Sequence, residues 1–342
     1  MKARAEVRKP WWRLVAGVVW LLLGLGARQA GAQDSLTYRG DAIPAAVEST
    51  YRKGLTWLVK NQTADGCWPG SSGSEPGVAG VAILAMLAHG DDPNFGEYRE
   101  VLKKAINFIL QQARADNGYI GTSMYNHGFA TLALAEAYGS VQDPRIGPAL
   151  QQAVALILAS QARNSMGGWR YMPESTDADT TVSGAQVVAL LAARNAGLAI
   201  PDKAIKTALD FFASCQSGAG GFGYNSAGEG HEGGATSAIG GLVFALARQK
   251  ATAAFKSSIR YVEQIGFAQG GHEYYYRYYA SQTLFHGNMS AWEKWNLENL
   301  RSLAGAQDAD GSWSGNEGQG FATSAALLSL ALNYRYLPIY ER

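Results

Sequence analysis

Lys53-Gly54-Leu55-Thr56-Trp57-Leu58-Val59-Lys60-Asn61-Gln62, followed by Asp65-Gly66-Cys67-Trp68, decides the fold. A helical stretch ends in Gln, a glycine-centred turn follows, and an aromatic residue closes the turn. The same order returns at Leu303-Ala304-Gly305-Ala306-Gln307 with Asp310-Gly311-Ser312-Trp313. Between them stand Gln161 with Gly168-Trp169, Gln216 with Gly221-Phe222, and a weaker Gln112 with Gly118-Tyr119. A fifth copy, Gln269-Gly270-Gly271, has no aromatic beside its glycines. The aromatics at 68, 119, 169, 222 and 313 are separated by 51, 50, 53 and 91 residues, the last gap holding two shorter units. A period of this size marks stacked supersecondary units, none of which buries its apolar face alone.

Each unit reads as two helices. The first is amphipathic, as in Ala105-Ile106-Phe108-Ile109 or Ala208-Leu209-Phe211-Phe212, and suits an outer layer. The second is small and apolar nearly all round, as in Val81-Ala82-Ile83-Leu84-Ala85-Met86-Leu87 or Val187-Val188-Ala189-Leu190-Leu191-Ala192. A helix apolar on all sides belongs inside. Six such pairs without β signal predict an all-α fold, an α/α toroid of inner and outer helix rings, over residues 51–342. Every inner helix then starts at the same end. The segments ahead of them gather there: Glu75-Pro76-Gly77, Tyr125-Asn126-His127-Gly128, Asp177-Ala178-Asp179-Thr180-Thr181, His231-Glu232-Gly233, Tyr278-Tyr279 through Gln282, and Gln319-Gly320-Phe321. This mouth, with the positive ends of the helix dipoles around it, is where chemistry is expected.

The first residues stand apart from the repeat. Lys2, Arg4, Arg8, Lys9 and Arg13 precede an apolar run from Leu14 to Leu25, and Ala30-Gly31-Ala32 offers small residues ahead of Gln33. This three-part pattern predicts a secretory signal peptide over 1–32, cleaved at Ala32/Gln33, and an exported protein with a lead-in at 33–50. The run is short for a membrane anchor, which needs about 20 residues. The remaining 310 residues carry 23 basic against 27 acidic side chains, a formal charge of −4. With no Lys/Arg cluster, nucleic acid is excluded as a partner. Cys67 and Cys215 are the only cysteines. They fall in units that face each other across a ring, so two separate buried thiols are expected rather than a disulfide. Neither has a His or second Cys beside it, so no metal and no cofactor is expected.

On these Gln-to-Trp repeats the chain resembles the prenyltransferase and squalene-oxidase repeat superfamily, which includes squalene-hopene cyclases and other class II terpene cyclases. The resemblance covers residue 51 to about 337, nearly everything after the leader. It implies the same α/α barrel, and structural roles for Gln62, Trp68, Gln161, Trp169, Gln307 and Trp313 in tying helix ends together. Class II cyclases open an inner helix with Asp-x-Asp-Asp, whose central acid protonates an alkene. Here Asp177-Ala178-Asp179-Thr180 matches the first two acids and has Thr180 in place of the third. By that resemblance Asp179 is the candidate acid and Asp177 its neighbour, with His127 and His231 as partners. Tyr125, Phe129, Tyr275, Tyr279 and Phe321 would offer aromatic faces to a carbocation or an apolar ligand. Asp and Thr ahead of a helix are equally ordinary N-caps.

Other branches fit less well. Protein prenyltransferase β-subunits need a zinc set, and complement-like thioester domains a Cys-Gly-Glu-Gln stretch; both are missing. Hopene cyclases resemble two barrels, whereas this chain holds one. The Gly167-to-Tyr171 stretch and the tyrosine-rich Tyr274 to Tyr279, with Trp292 and Trp295, resemble exported single-barrel members. Three functions are therefore expected in this order: a toroid binding an apolar isoprenoid or lipid ligand or a partner protein, with peripheral membrane contact; a terpene cyclase using Asp179; and a carbohydrate enzyme with a rim pair such as Glu232 and Asp179.

Overall fold

The computed structural model describes residues 43–228, 230–267 and 272–340. The leader with its Ala32/Gln33 site, most of the lead-in, and Gln269-Gly270-Gly271 lie outside the described residues. The helical body starts with α1 (Ala45–Asn61), inside the stretch read as lead-in. There follow α2 (Pro76–His89), α3 (Arg99–Gln112), α4 (Met124–Ala137), α5 (Ile146–Arg163), α6 (Thr180–Asn195), α7 (Asp202–Cys215), α8 (Gly234–Leu246), α9 (Ala253–Ile265), α10 (Glu273–Gly287), α11 (Met289–Ala306) and α12 (Gln319–Leu330). The only ladder among the described residues is a two-residue hairpin, β1 (Pro69–Gly70) with β2 (Gly73–Ser74).

The even-numbered helices form the inner ring. Each packs on the next, and α12 returns to α2, closing the α/α toroid. Every residue of α2 is buried, as its uniform apolarity requires. Small residues set the spacing: a Cβ on Gly80 would come 2.6 Å from the Phe129 carbonyl oxygen. The odd-numbered helices bury one face only. On α3 that face is Leu102, Ala105, Ile106, Phe108 and Ile109.

The repeat residues join neighbouring units. In the described tight turns a glycine at positive φ brings the backbone against the next outer helix, and in four of them the preceding Gln spans the joint. Gln62 Nε2 donates to the Gly66 carbonyl of its own turn and to Val101 of α3. Gln161 repeats this with Gly167 and Ala204, and Gln216 with Gly220 and Ala254. Gln307 does so with Gly311 and Thr50, which joins the last unit to the first. The indoles of Trp68, Trp169 and Trp313 are buried and donate to Leu58, Ile157 and Leu303 carbonyls of the outer helix that leads into their turn. Gln112 of the weaker copy is exposed instead. Cys67 and Cys215 are buried free thiols.

Candidate functional site

The six inner helices open at one end onto a cavity of about 620 Å³, and each contributes lining near its N-terminus. The floor is aromatic: Phe129 of α4, Tyr275 of α10 and Phe321 of α12 meet with ring centroids 6.1–6.5 Å apart. Tyr125, Tyr171, Tyr224 and Tyr276 form much of the wall. Glu75, Glu273 and Glu317 stand around the opening together with His272. Among the described residues no lysine or arginine lines it.

The acid pair read from the sequence sits behind this wall. Asp179 is wholly buried and caps α6, its Oδ1 accepting from the Thr181 and Val182 N–H groups at 2.9 and 2.8 Å. The Thr181 hydroxyl also donates to that oxygen, at 2.6 Å, and the Tyr125 hydroxyl is hydrogen-bonded to Thr181 in turn. On its other side Oδ2 faces the Arg170 Nε at 3.4 Å. Asp177 is exposed and pairs with Arg170 Nη1. Neither aspartate lines the cavity. Thr180, standing where the cyclase pattern has its third acid, uses its hydroxyl on the Gly223 and Tyr224 carbonyls at 3.1 Å. Arg170 lies 5.0 Å from the Tyr171 ring and 5.5 Å from Tyr224, and the two phenols are hydrogen-bonded to each other. Burial, reinforced by the charge of Asp179, pushes the Tyr125 phenol well above its ordinary pKa, so it keeps its proton.

The remaining candidates divide. Tyr125, Phe129, Tyr275 and Phe321 all line the cavity. Tyr279 lies beneath Tyr275, ring centroids 5.0 Å apart, and supports the floor. His127 points away from the mouth. Its Nδ1 accepts from the Ile120 N–H at 3.1 Å and its Nε2 meets the Ala153 carbonyl at 3.0 Å. Burial drops its pKa to about 4. His231 is exposed in the loop before α8. Glu232 packs beside Gly221, where the Ser217 hydroxyl holds its carboxyl below the usual range. Neither residue lines the cavity, so Glu232 and Asp179 do not form a pair across it. Sequence reasoning missed Arg170, although the Gly167-to-Tyr171 stretch that contains it stood out. It also missed Tyr171, Tyr224, Tyr276, Glu273, Glu317 and His272 as lining residues.

Residues 50–340 match the family described as Domain of unknown function (DUF6288). The chain belongs to this family. No curated protein matches it. Among solved structures, the DUF6288 chain is similar to a variant of the type II terpene cyclase MstE from Scytonema, in complex with its substrate geranylgeranyl dihydroxybenzoate. That match has a TM-score of 0.59 and 15% identity, covering 85% of this chain and 98% of that one. It is also similar to a family 76 glycoside hydrolase, an inactive variant of the α-1,6-mannanase of Salegentibacter sp. HEL1_6. There the TM-score is 0.65 with 11% identity, and 84% and 99% of the two chains are covered. The mannosidase Bt3792 from Bacteroides thetaiotaomicron gives 0.66 and 9%, over 83% and 97%. At these identities the likeness establishes the toroid and nothing finer.

Proposed function

We propose that this DUF6288 toroid binds an apolar ligand of the isoprenoid or lipid class in the cavity at its inner-helix N-termini. The observation that carries the reading is the floor of Phe129, Tyr275 and Phe321 in a cavity of about 620 Å³. An apolar interior of several hundred Å³ with polar groups confined to the wall and mouth is the general form of a ligand site. The aspartates weigh against cyclisation by direct protonation. Asp179 Oδ1 is taken up by the α6 cap and Thr181. Its Oδ2 only faces Arg170 at 3.4 Å, without a hydrogen bond among the described residues. Thr181 and Tyr125, not the aspartate, line the cavity. An acid that protonates an alkene must reach it.

The test uses the full chain incubated with detergent-dispersed squalene and geranylgeraniol, re-isolated by gel filtration and extracted for mass analysis. The expected result is retained ligand of unchanged mass, with retention lost in Phe129→Asp, which places a carboxylate in the floor. Absence of retention, or a cyclised product that disappears in Asp179→Asn, would overturn the reading.

A further inference from the structure

We propose that the cavity selects a neutral long-chain alcohol, taking the ligand hydroxyl as a hydrogen-bond donor to Tyr125 and rejecting the corresponding diphosphate. This rests on the binding role proposed above and specifies its ligand. One hydrogen-bond chain, from Asp179 through Thr181 to Tyr125, has a fixed direction. Asp179 Oδ1 already accepts from two backbone N–H groups, which can only donate. The Thr181 hydroxyl, 2.6 Å from the same oxygen, is therefore a donor to it. Thr181 then accepts from Tyr125, whose single proton is used on that bond. What Tyr125 offers the cavity is a lone pair. A ligand meeting it gains a hydrogen bond by bringing an O–H, and gains nothing by bringing a second acceptor.

The charges around the opening point the same way. Glu75, Glu273 and Glu317 line the cavity. The two arginines near the mouth are committed elsewhere: Arg170 to Asp177 and Asp179, and Arg277 to Glu273, Asn299 and Ser302. A diphosphate entering here would find the helix N-termini but no free side-chain cation among the described residues, since the cations beside Glu273 and Glu317, Arg277 and His272, are already paired with them. A bulky anion needs Arg or Lys partners, whereas a hydroxyl at the end of an isoprenoid chain needs one acceptor.

The experiment compares four probes on the full chain by equilibrium binding: geranylgeraniol, its methyl ether, its diphosphate, and the hydrocarbon of the same skeleton. The alcohol is expected to bind roughly tenfold more tightly than ether or hydrocarbon, the scale of one buried hydrogen bond, and the diphosphate most weakly. Tyr125→Phe brings the alcohol-to-ether ratio to about one. Thr181→Val releases the Tyr125 proton toward the cavity, so the ether gains and the ratio also falls, with the phenol still in place. A diphosphate that binds tightest, or an alcohol-to-ether ratio near one in the unaltered chain, overturns the alcohol assignment while leaving hydrocarbon binding as evidence for the site. Failure of all four probes to bind overturns the binding role itself, and this inference with it.

Discussion

A single side chain can report on the core without touching the cavity, and His127 does so. It lies on an inner helix, wholly buried, with both ring nitrogens engaged by backbone groups. Burial lowers its pKa from 6.5 to about 4. Between those values the unfolded chain binds a proton that the folded chain excludes, so folding stability rises with pH. The contribution is complete above about pH 6.5 and disappears as pH falls toward 4, a loss of about 3 kcal/mol. Urea unfolding from pH 7.5 to 4.5 should show this slope, and it should flatten in His127→Gln, which has no proton to gain. An equal slope in both proteins would place the titration elsewhere. The sequence put His127 at the start of an inner helix but not on a side of it. Met124-Tyr125-Asn126-His127 turns through about 100° per residue, so Tyr125 and Phe129 reach the cavity while His127 faces α5. Asp179 poses the converse difficulty. Asp before Thr-Thr is written identically for a catalytic acid and for a helix cap, and only the neighbouring Thr181, Tyr125 and Arg170 distinguish them.

At the scale of elements, the turn between outer and inner helix is what the sequence made legible. Gly311 has φ +97°, and a Cβ there would lie 2.4 Å from the Lys53 carbonyl oxygen of α1. Gly311→Ala therefore meets both backbone strain and a clash with a rigid helix, at the joint where Gln307 ties the last unit to the first. A loss of about 2–4 kcal/mol is expected. Gly305, in α11 with open space around it, is the control: Gly305→Ala should be neutral or stabilise by up to about 1 kcal/mol. Chemical denaturation of both variants measures the difference, and equal effects would mean that the joint carries no special constraint. The outer and inner helices, the closing order of the ring and the location of the mouth all follow from such repeated signals. The wall residues Tyr171 and Tyr224 do not, because they sit in loops whose course depends on Arg170 and on contacts between units.

Across the whole toroid, the two ends of the inner ring are built differently. The N-terminal end holds the cavity. At the other end the segment after α12 runs across the inner-helix C-termini. The Tyr336 ring lies over Gly90 at the end of α2, the Ile339 N–H points to Glu136 near the end of α4, and the 3₁₀ turn Pro338–Tyr340 packs on α6, three places around the ring from α12. Leu337, Ile339 and Tyr340 are all buried there. A ring of small-residue helices leaves its axis to be filled by something larger, and here a crossing segment does so at the end away from the cavity. Tyr340 separates the contribution of packing from that of polarity, because its hydroxyl is buried without a hydrogen-bond partner among the described residues. Removing the ring in Tyr340→Ala should cost about 3–5 kcal/mol, as for other large core side chains. Removing only the oxygen in Tyr340→Phe should be neutral or stabilising, since an unsatisfied buried hydroxyl costs about 1–3 kcal/mol. Thermal unfolding of the two variants decides it. Destabilisation by Phe comparable to that by Ala would show that the hydroxyl, rather than the bulk of the ring, closes this end of the toroid.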